Sequence, residues 1–323
     1  MNSSRDPEPA PGAPCPWYAL TQDREQVPPQ GIQAPEGDSH LKSGSQSIQA
    51  AAQLPCGHVL GARYRLEATL GRGAQGVVYR GVDLLAPRRK VAIKVRKCPE
   101  GNAPILASLR HPNIQGFLDW GREGELEFCV LRFHDSPDLL TRLEREGPFA
   151  APLVARWGAA LLRALGHLHR RGVLHRDVKP SNVLLAGQRP VLIDFDLACV
   201  GRPKGGGLAG TPLYMSPERL GGAAASPEDD VFACALTVFQ LARGSLPTHE
   251  SNPQTLKALR TARRLPLPTT GSPELDAILG PALAPGPERL RSGKTLGSEL
   301  RAFAKRAGQP ELPEPPPLPP LPG

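Results

Sequence analysis

The chain has 323 residues, 40% of them apolar, enough to bury one or two substantial cores. No run of eighteen apolar residues occurs, which argues against a membrane-spanning helix, and the stretch from Met1 to Pro7 leads into no hydrophobic segment of a secretory signal. The formal charge of +8 is spread along the chain, the pattern of a solvated surface rather than of a nucleic-acid groove.

Residues 1–58 read as a disordered tail, because 27 of the 58 are Pro, Gly, Ser or Gln and cannot bury enough apolar area to offset the entropy of ordering. The periodic hydrophobicity lies in 59–308. Tyr64 to Leu70 alternates as a strand; a Gly-rich turn follows, then Val77-Val78-Tyr79 and the β-branched run Val91-Ala92-Ile93-Lys94-Val95. Leu126 to Phe133 reads as a further strand. From there the period changes, and Leu153, Val154, Trp157, Leu161, Leu162, Leu165 and Leu168 recur at helical spacing. A strand-rich start before a helix-rich remainder predicts an α+β fold with two unequal lobes. The last fifteen residues, 309–323, hold eight prolines and predict polyproline II. The six cysteines are scattered, no two closer than 31 positions, so no CxxC pair suggests a zinc site. Reduced thiols and no secretory signal predict an intracellular protein, cytoplasmic or nuclear, with no membrane and no nucleic-acid partner.

Gly71-Arg72-Gly73-Ala74-Gln75-Gly76 fits GxGxxG, but a strand follows the last glycine where a dinucleotide fold needs a helix. The loop is therefore the tip of a hairpin, whose backbone N–H groups can approach phosphates without side-chain clash. Lys94, closing Val-Ala-Ile-Lys, is placed to pair with phosphate charge. The densest signal is His175-Arg176-Asp177-Val178-Lys179-Pro180-Ser181-Asn182, followed by Ile193-Asp194-Phe195-Asp196. These residues suit phosphoryl transfer. Asp177 would accept or orient a hydroxyl proton, Lys179 would neutralise the moving phosphoryl group, and Asn182 and Asp194 would hold Mg2+.

With these motifs in order, the chain resembles the eukaryotic-type protein kinase family over about 250 of its 323 residues. His111-Pro112-Asn113-Ile114, Gly210-Thr211-Pro212, Ser216-Pro217-Glu218, Asp230 and Arg289 fall where that family has landmarks, with Arg289 expected to pair with Glu218. The resemblance implies a bilobal fold that binds ATP and Mg2+. Leu70, Gly71, Gly73, Gly76 and Lys94 would contact nucleotide, Val78, Ala92 and Leu184 would sandwich the adenine, and Leu131 would be the gatekeeper. Thr211 would hydrogen-bond Asp177 and Lys179. Lys179 in HRDxKPxN looks like the serine/threonine branch, whose substrates are protein hydroxyls.

Two departures bear on activity. Only 17 positions separate Lys94 from His111, which shortens the family's αC helix and puts Asn102, beside Pro104, where the family has a glutamate; Glu100 is a poor substitute in register. Asp-Phe-Gly also reads Asp194-Phe195-Asp196, which removes the glycine's backbone freedom and adds a carboxylate. Between Leu197 and Gly210 there is no Ser, Thr or Tyr to carry a phosphate for Arg176. The five polar residues of the catalytic set favour an active kinase. Asn102, Pro104 and Asp196 favour the alternative, a pseudokinase that binds nucleotide or scaffolds. Overlapping PPLP units at 316–322 fit the aromatic grooves of WW or SH3 domains. Asp138 is a weaker candidate for ribose or substrate. Lys257, Arg260, Arg263 and Arg264 read as an exposed face, and His167 and His169 as polar residues at a helix end.

Overall fold

The computed structural model describes residues 54–73, 76–97, 107, 109–201, 209–248, 252–261, 269–284, 286 and 289–312. The readings for the N-terminal tail through 53, for Ala74, Gln75, Glu100, Asn102 and Pro104, for Arg263 and Arg264, and for the proline repeats at 316–322 lie outside these residues. The chain divides into two compact units: residues through 99 with 120–133, and 100–119 with 134 onward.

The first unit is a sheet in the order β1-β2-β3-β4-β6-β5, with β1 Val59–Leu60, β2 Tyr64–Gly73, β3 Gly76–Asp83, β4 Ala86–Lys97, β5 Phe117–Glu123 and β6 Leu126–Arg132. Side chains alternate across it as a period of two requires. Val77, Tyr79, Val91, Ile93, Val95 and Val130 are buried, while Val78, Ala92, Lys94 and Leu131 between them are half-buried. Two ion pairs with buried carboxylates brace the sheet. Arg63 donates Nε and one terminal nitrogen to the two oxygens of Asp83, both at 2.8 Å, and Arg96 donates to Glu127 Oε1 at 2.9 and 2.5 Å. The hydrogen bonds from Arg63 hold the Asp83 carboxyl below its ordinary value despite burial.

The predicted strands are present; the first three run longer than their apolar stretches, and the fourth ends at Arg132, one residue short of Phe133. Ordered structure also reaches beyond 59. The Leu54 amide donates to the Tyr79 hydroxyl at 3.0 Å and Gly57 N to the Leu66 carbonyl at 2.8 Å, so residues 54–58 belong to the sheet unit and not to a disordered tail.

The second unit is mainly helical: α1 Leu139–Glu146, α2 Ala151–His169, α3 Pro217–Leu220, α4 Pro227–Arg243, α5 Pro253–Thr261, α6 Pro273–Leu283 and α7 Gly293–Arg306. A small hairpin, β8 Val183–Ala186 with β9 Arg189–Leu192, and a two-stranded antiparallel sheet of β7 Val173–Leu174 with the distant β10 Cys199–Val200 flank the polar motifs. The core is built on α2 and α4, whose Leu161, Leu165, Leu168, Phe239 and Leu241 are almost wholly buried. Burying each such side chain contributes about 1.5–3 kcal/mol. At the C-terminal end, Gln309 N donates to Ala304 O at 3.0 Å and Arg156 to Pro310 O at 3.0 Å, so this unit extends past 308. No disulfide links Cys56, Cys129, Cys199 or Cys234. No helix among the described residues is long and apolar enough to cross a membrane.

Candidate active site

In the sheet unit, strand register gathers the predicted nucleotide contacts on one face. Val78 on β3 lies opposite Lys94 on β4, and Ala92 lies opposite Leu131 on β6, one row along. The hairpin closes with Gly73 opposite Gly76, and Gly71 lies opposite Val78 after an irregularity in β2, next to buried Leu70. Gly76 is required here. Its φ is +141°, and a Cβ would meet the Val95 carbonyl oxygen at 2.4 Å.

In the helical unit, Asp177, Thr211 and Lys179 close a polar ring, which Asn182 joins through Asp177. Thr211 Oγ1 donates to Asp177 Oδ1 at 2.8 Å and accepts from Lys179 Nζ at 2.7 Å. The Thr211 amide also reaches Asp177 Oδ1, at 3.2 Å. Lys179 Nζ lies 3.2 Å from Asp177 Oδ2, which accepts from Asn182 Nδ2 at 2.9 Å. That amide nitrogen gives its second hydrogen to the Asp177 carbonyl at 2.8 Å. Both amide hydrogens are thus used within the ring, leaving Asn182 Oδ1 as the atom suited to meet a cation.

Buried supports hold the ring. Asp230, 2% exposed at the start of α4, accepts from the amides of His175 at 3.0 Å and Arg176 at 2.8 Å, and lies 2.8 Å from His169 Nε2. Burial pushes its carboxyl up, but His169 and the His175 amide more than offset this, so it stays below its ordinary value. His175 is wholly buried. Its Nδ1 accepts from Asp177 N at 3.3 Å, its Nε2 faces the Ile193 carbonyl at 3.1 Å, and its ring meets Phe195 edge-on, 4.8 Å between centroids. Ile193 N donates to Asn182 O at 2.9 Å, which fixes the start of the Asp194 segment beside the ring. Around the ring, two residues adopt left-handed torsions unusual for side-chain-bearing residues, Arg176 at φ +71° and Asp194 at φ +59°. Gly210, at φ +121°, passes so close to the Arg176 carbonyl that a Cβ would lie 2.6 Å from its oxygen. The close pass delivers Thr211 to Asp177, 34 residues away in sequence.

A family model described as a protein kinase domain matches residues 64–289, spanning both the sheet and the ring. The chain belongs to the protein kinase family. Similar curated proteins include the serine/threonine-protein kinase PkaA of Streptomyces coelicolor, 30% identical over 278 residues, covering 77% of this chain and 51% of that protein. CBL-interacting protein kinase 29 of Oryza sativa is 31% identical over 285 residues, covering 81% and 62% respectively. The serine/threonine-protein kinase PknL of Mycobacterium bovis is 28% identical over 278 residues, covering 80% and 69%. The chain spans from about a third to about half of the length of the first relatives it matches.

Within this kinase domain, the expected pair is present: Arg289, 7% exposed, donates to Glu218 Oε2 at 2.6 Å and lies over the Phe232 ring at 5.5 Å. Burial raises the Glu218 carboxyl, and Arg289 more than reverses this, leaving it below its ordinary value. Leu184 sits on β8, packed with Val191 and Ile193. Two readings need correction. Asp138 is no free substrate contact, because its Oδ1 accepts from the Leu140 and Thr141 amides at 2.9 and 3.0 Å and its Oδ2 from the Thr141 hydroxyl at 2.8 Å; it is the N-cap of α1. His169 is more than a polar helix end, since it bonds Asp230. Asp196 lies in the turn closed by Ala198 N on Phe195 O at 3.0 Å, and the left-handed torsion of the motif falls on Asp194 instead. No positive φ falls on Asp196, so the left-handed freedom of a glycine is not used at that position.

Proposed function

We propose that this chain is a serine/threonine protein kinase that transfers the γ-phosphate of ATP to protein hydroxyls with Mg2+. The ring of Asp177, Thr211, Lys179 and Asn182 carries this reading. Asp177 faces an incoming hydroxyl with its carboxylate oriented by Thr211, ready to align the nucleophile and take its proton. Lys179, held 3.2 Å from Asp177, offsets charge building on the transferring phosphoryl group. Asn182 Oδ1 and the Asp194 carboxylate are hard oxygen donors, and one or two such groups plus phosphate oxygens suit Mg2+. When bound, that ion would neutralise phosphate charge. Lys94, the hairpin glycines Gly71, Gly73 and Gly76, and Leu70 would hold the phosphates, and Val78, Ala92, Leu131 and Leu184 the adenine. Names of similar proteins support the serine/threonine assignment.

The competing reading is a nucleotide-binding scaffold. It draws on Asn102 and Pro104 in place of the αC glutamate, and on Asp196. On either reading, flanking proline-rich segments would recruit WW or SH3 partners. The test is transfer of labelled phosphate from Mg-ATP to the chain itself and to a generic basic protein, with Asp177→Asn in parallel and with EDTA added. Transfer by the parent alone, abolished by EDTA, is expected. Equal signal from parent and variant, both folded, would reject the kinase.

A further inference from the structure

On the second unit, away from the polar ring in sequence, α2 and α7 present basic side chains to one cavity. Arg156 and Arg163 stand two turns apart on α2, and Arg301 and Lys305 one turn apart on α7. With residues 309–312 they line an open concavity of about 140 Å³, and Glu311 is the one acidic side chain in the lining among the described residues. Arg156 is 7% exposed. Its terminal nitrogens donate to Pro310 O and Gln188 Oε1, both at 3.0 Å, while its buried Nε–H has no partner.

The other three cations make no ion pair within 4 Å among the described residues. Desolvation, and then the neighbouring charges of Arg301 and Arg189, push Arg163 below its ordinary value, with Glu311 opposing them. Like charges gathered in a concavity repel one another, and a single carboxylate leaves them mostly uncompensated. The fitting counter-charge is compact and at least doubly negative, and Arg forks match phosphate oxygens well. The volume is several times the roughly 30 Å³ that a water occupies in the liquid, room for a phosphoryl group and part of the chain bearing it.

We propose that this cavity docks a phosphorylated side chain of a partner protein, with Glu311 as the internal anion at its rim. The proposal does not depend on the catalytic reading, so either can fail alone. The test is fluorescence anisotropy of a labelled short Gly/Ala peptide bearing one phosphoserine, with its unphosphorylated twin, titrated with the full chain. Inorganic phosphate serves as competitor.

The expected result is binding of the phosphopeptide only, at least ~10-fold weaker for the Arg163→Glu/Arg301→Glu variant. Glu311→Gln should bind ~2–5-fold more tightly, since it removes an exposed competing charge. No binding, equal binding by the twin, or an unchanged affinity in the double variant overturns the proposal. Binding of inorganic phosphate without the phosphopeptide overturns the protein partner. Should circular dichroism show the double variant unfolded, Glu311→Gln decides: unchanged or weakened binding refutes the site.

Discussion

Replacing Gly210 by alanine tests whether the close pass of that residue over Arg176 sets the geometry of the ring. At φ +121° an L side chain is strained, and the new Cβ would sit 2.6 Å from a backbone oxygen that cannot swing aside. Ordinary contact begins at 3.4 Å, so the segment must open by about 0.8 Å. Thr211 is the next residue. Moved by that amount, its hydroxyl bond to Asp177 lengthens from 2.8 Å and its amide bond from 3.2 Å, both past hydrogen-bonding range. Backbone strain and two lost bonds together cost about 2–4 kcal/mol of stability. If Asp177 acts as proposed, misplacement of this size beside its carboxylate costs about 100-fold in turnover. The assay is kcat for phosphate transfer alongside the thermal midpoint. A folded Gly210→Ala variant with kcat within about threefold of the parent would refute the reasoning, because the ring would then form without the close pass.

Asp230→Asn turns one acceptor oxygen into a donor facing a backbone amide, and should lower stability by about 2 kcal/mol, a drop in midpoint of roughly 4–8 °C by calorimetry. Because the Asp230 carboxyl is held below its ordinary value in the folded chain, its stabilisation is present above the unfolded-state value and is lost as pH falls through the folded one. The parent's stability should therefore decline more steeply with acid below about pH 4 than that of the variant, and parallel curves would contradict the assignment. Glu218→Gln leaves Arg289, whose side chain is 4% exposed, without its charge partner. A loss of about 2–4 kcal/mol is expected in urea unfolding, reduced in a cycle with Arg289→Met. Asp196→Gly should not relieve backbone strain, since the left-handed torsion lies on Asp194. Stability should fall by no more than about 1 kcal/mol, and a gain would show that Asp196 is strained.

The sheet was legible in the alternation of Val91, Ile93 and Val95 against Ala92 and Lys94, because burial on one face imposes period two on the sequence. The long helix was legible from Leu161, Leu165 and Leu168 for the same reason at period 3.6. The strands Val173–Leu174 and Cys199–Val200 are two residues each, too short to carry any period. The ring needed the resemblance, since spacing alone cannot join Thr211 to a carboxylate 34 positions back. The structural partners of His169 and Asp138 were hidden for a shared reason. Each satisfies a group within the fold, and a cap or a buried pair looks in sequence like any polar residue near a helix end.

One buried carboxylate gives the loop bearing Asp177 an unexpected standing in the dynamics of the second unit. Asp230 ties amides 54 and 55 positions upstream and a histidine 61 positions upstream to the first turn of α4. Those amides cannot exchange hydrogen with solvent until that turn lets go, and the turn belongs to a helix buried along most of its length. The loop therefore opens only when that first turn of α4 releases it, not with the unit's surface connections.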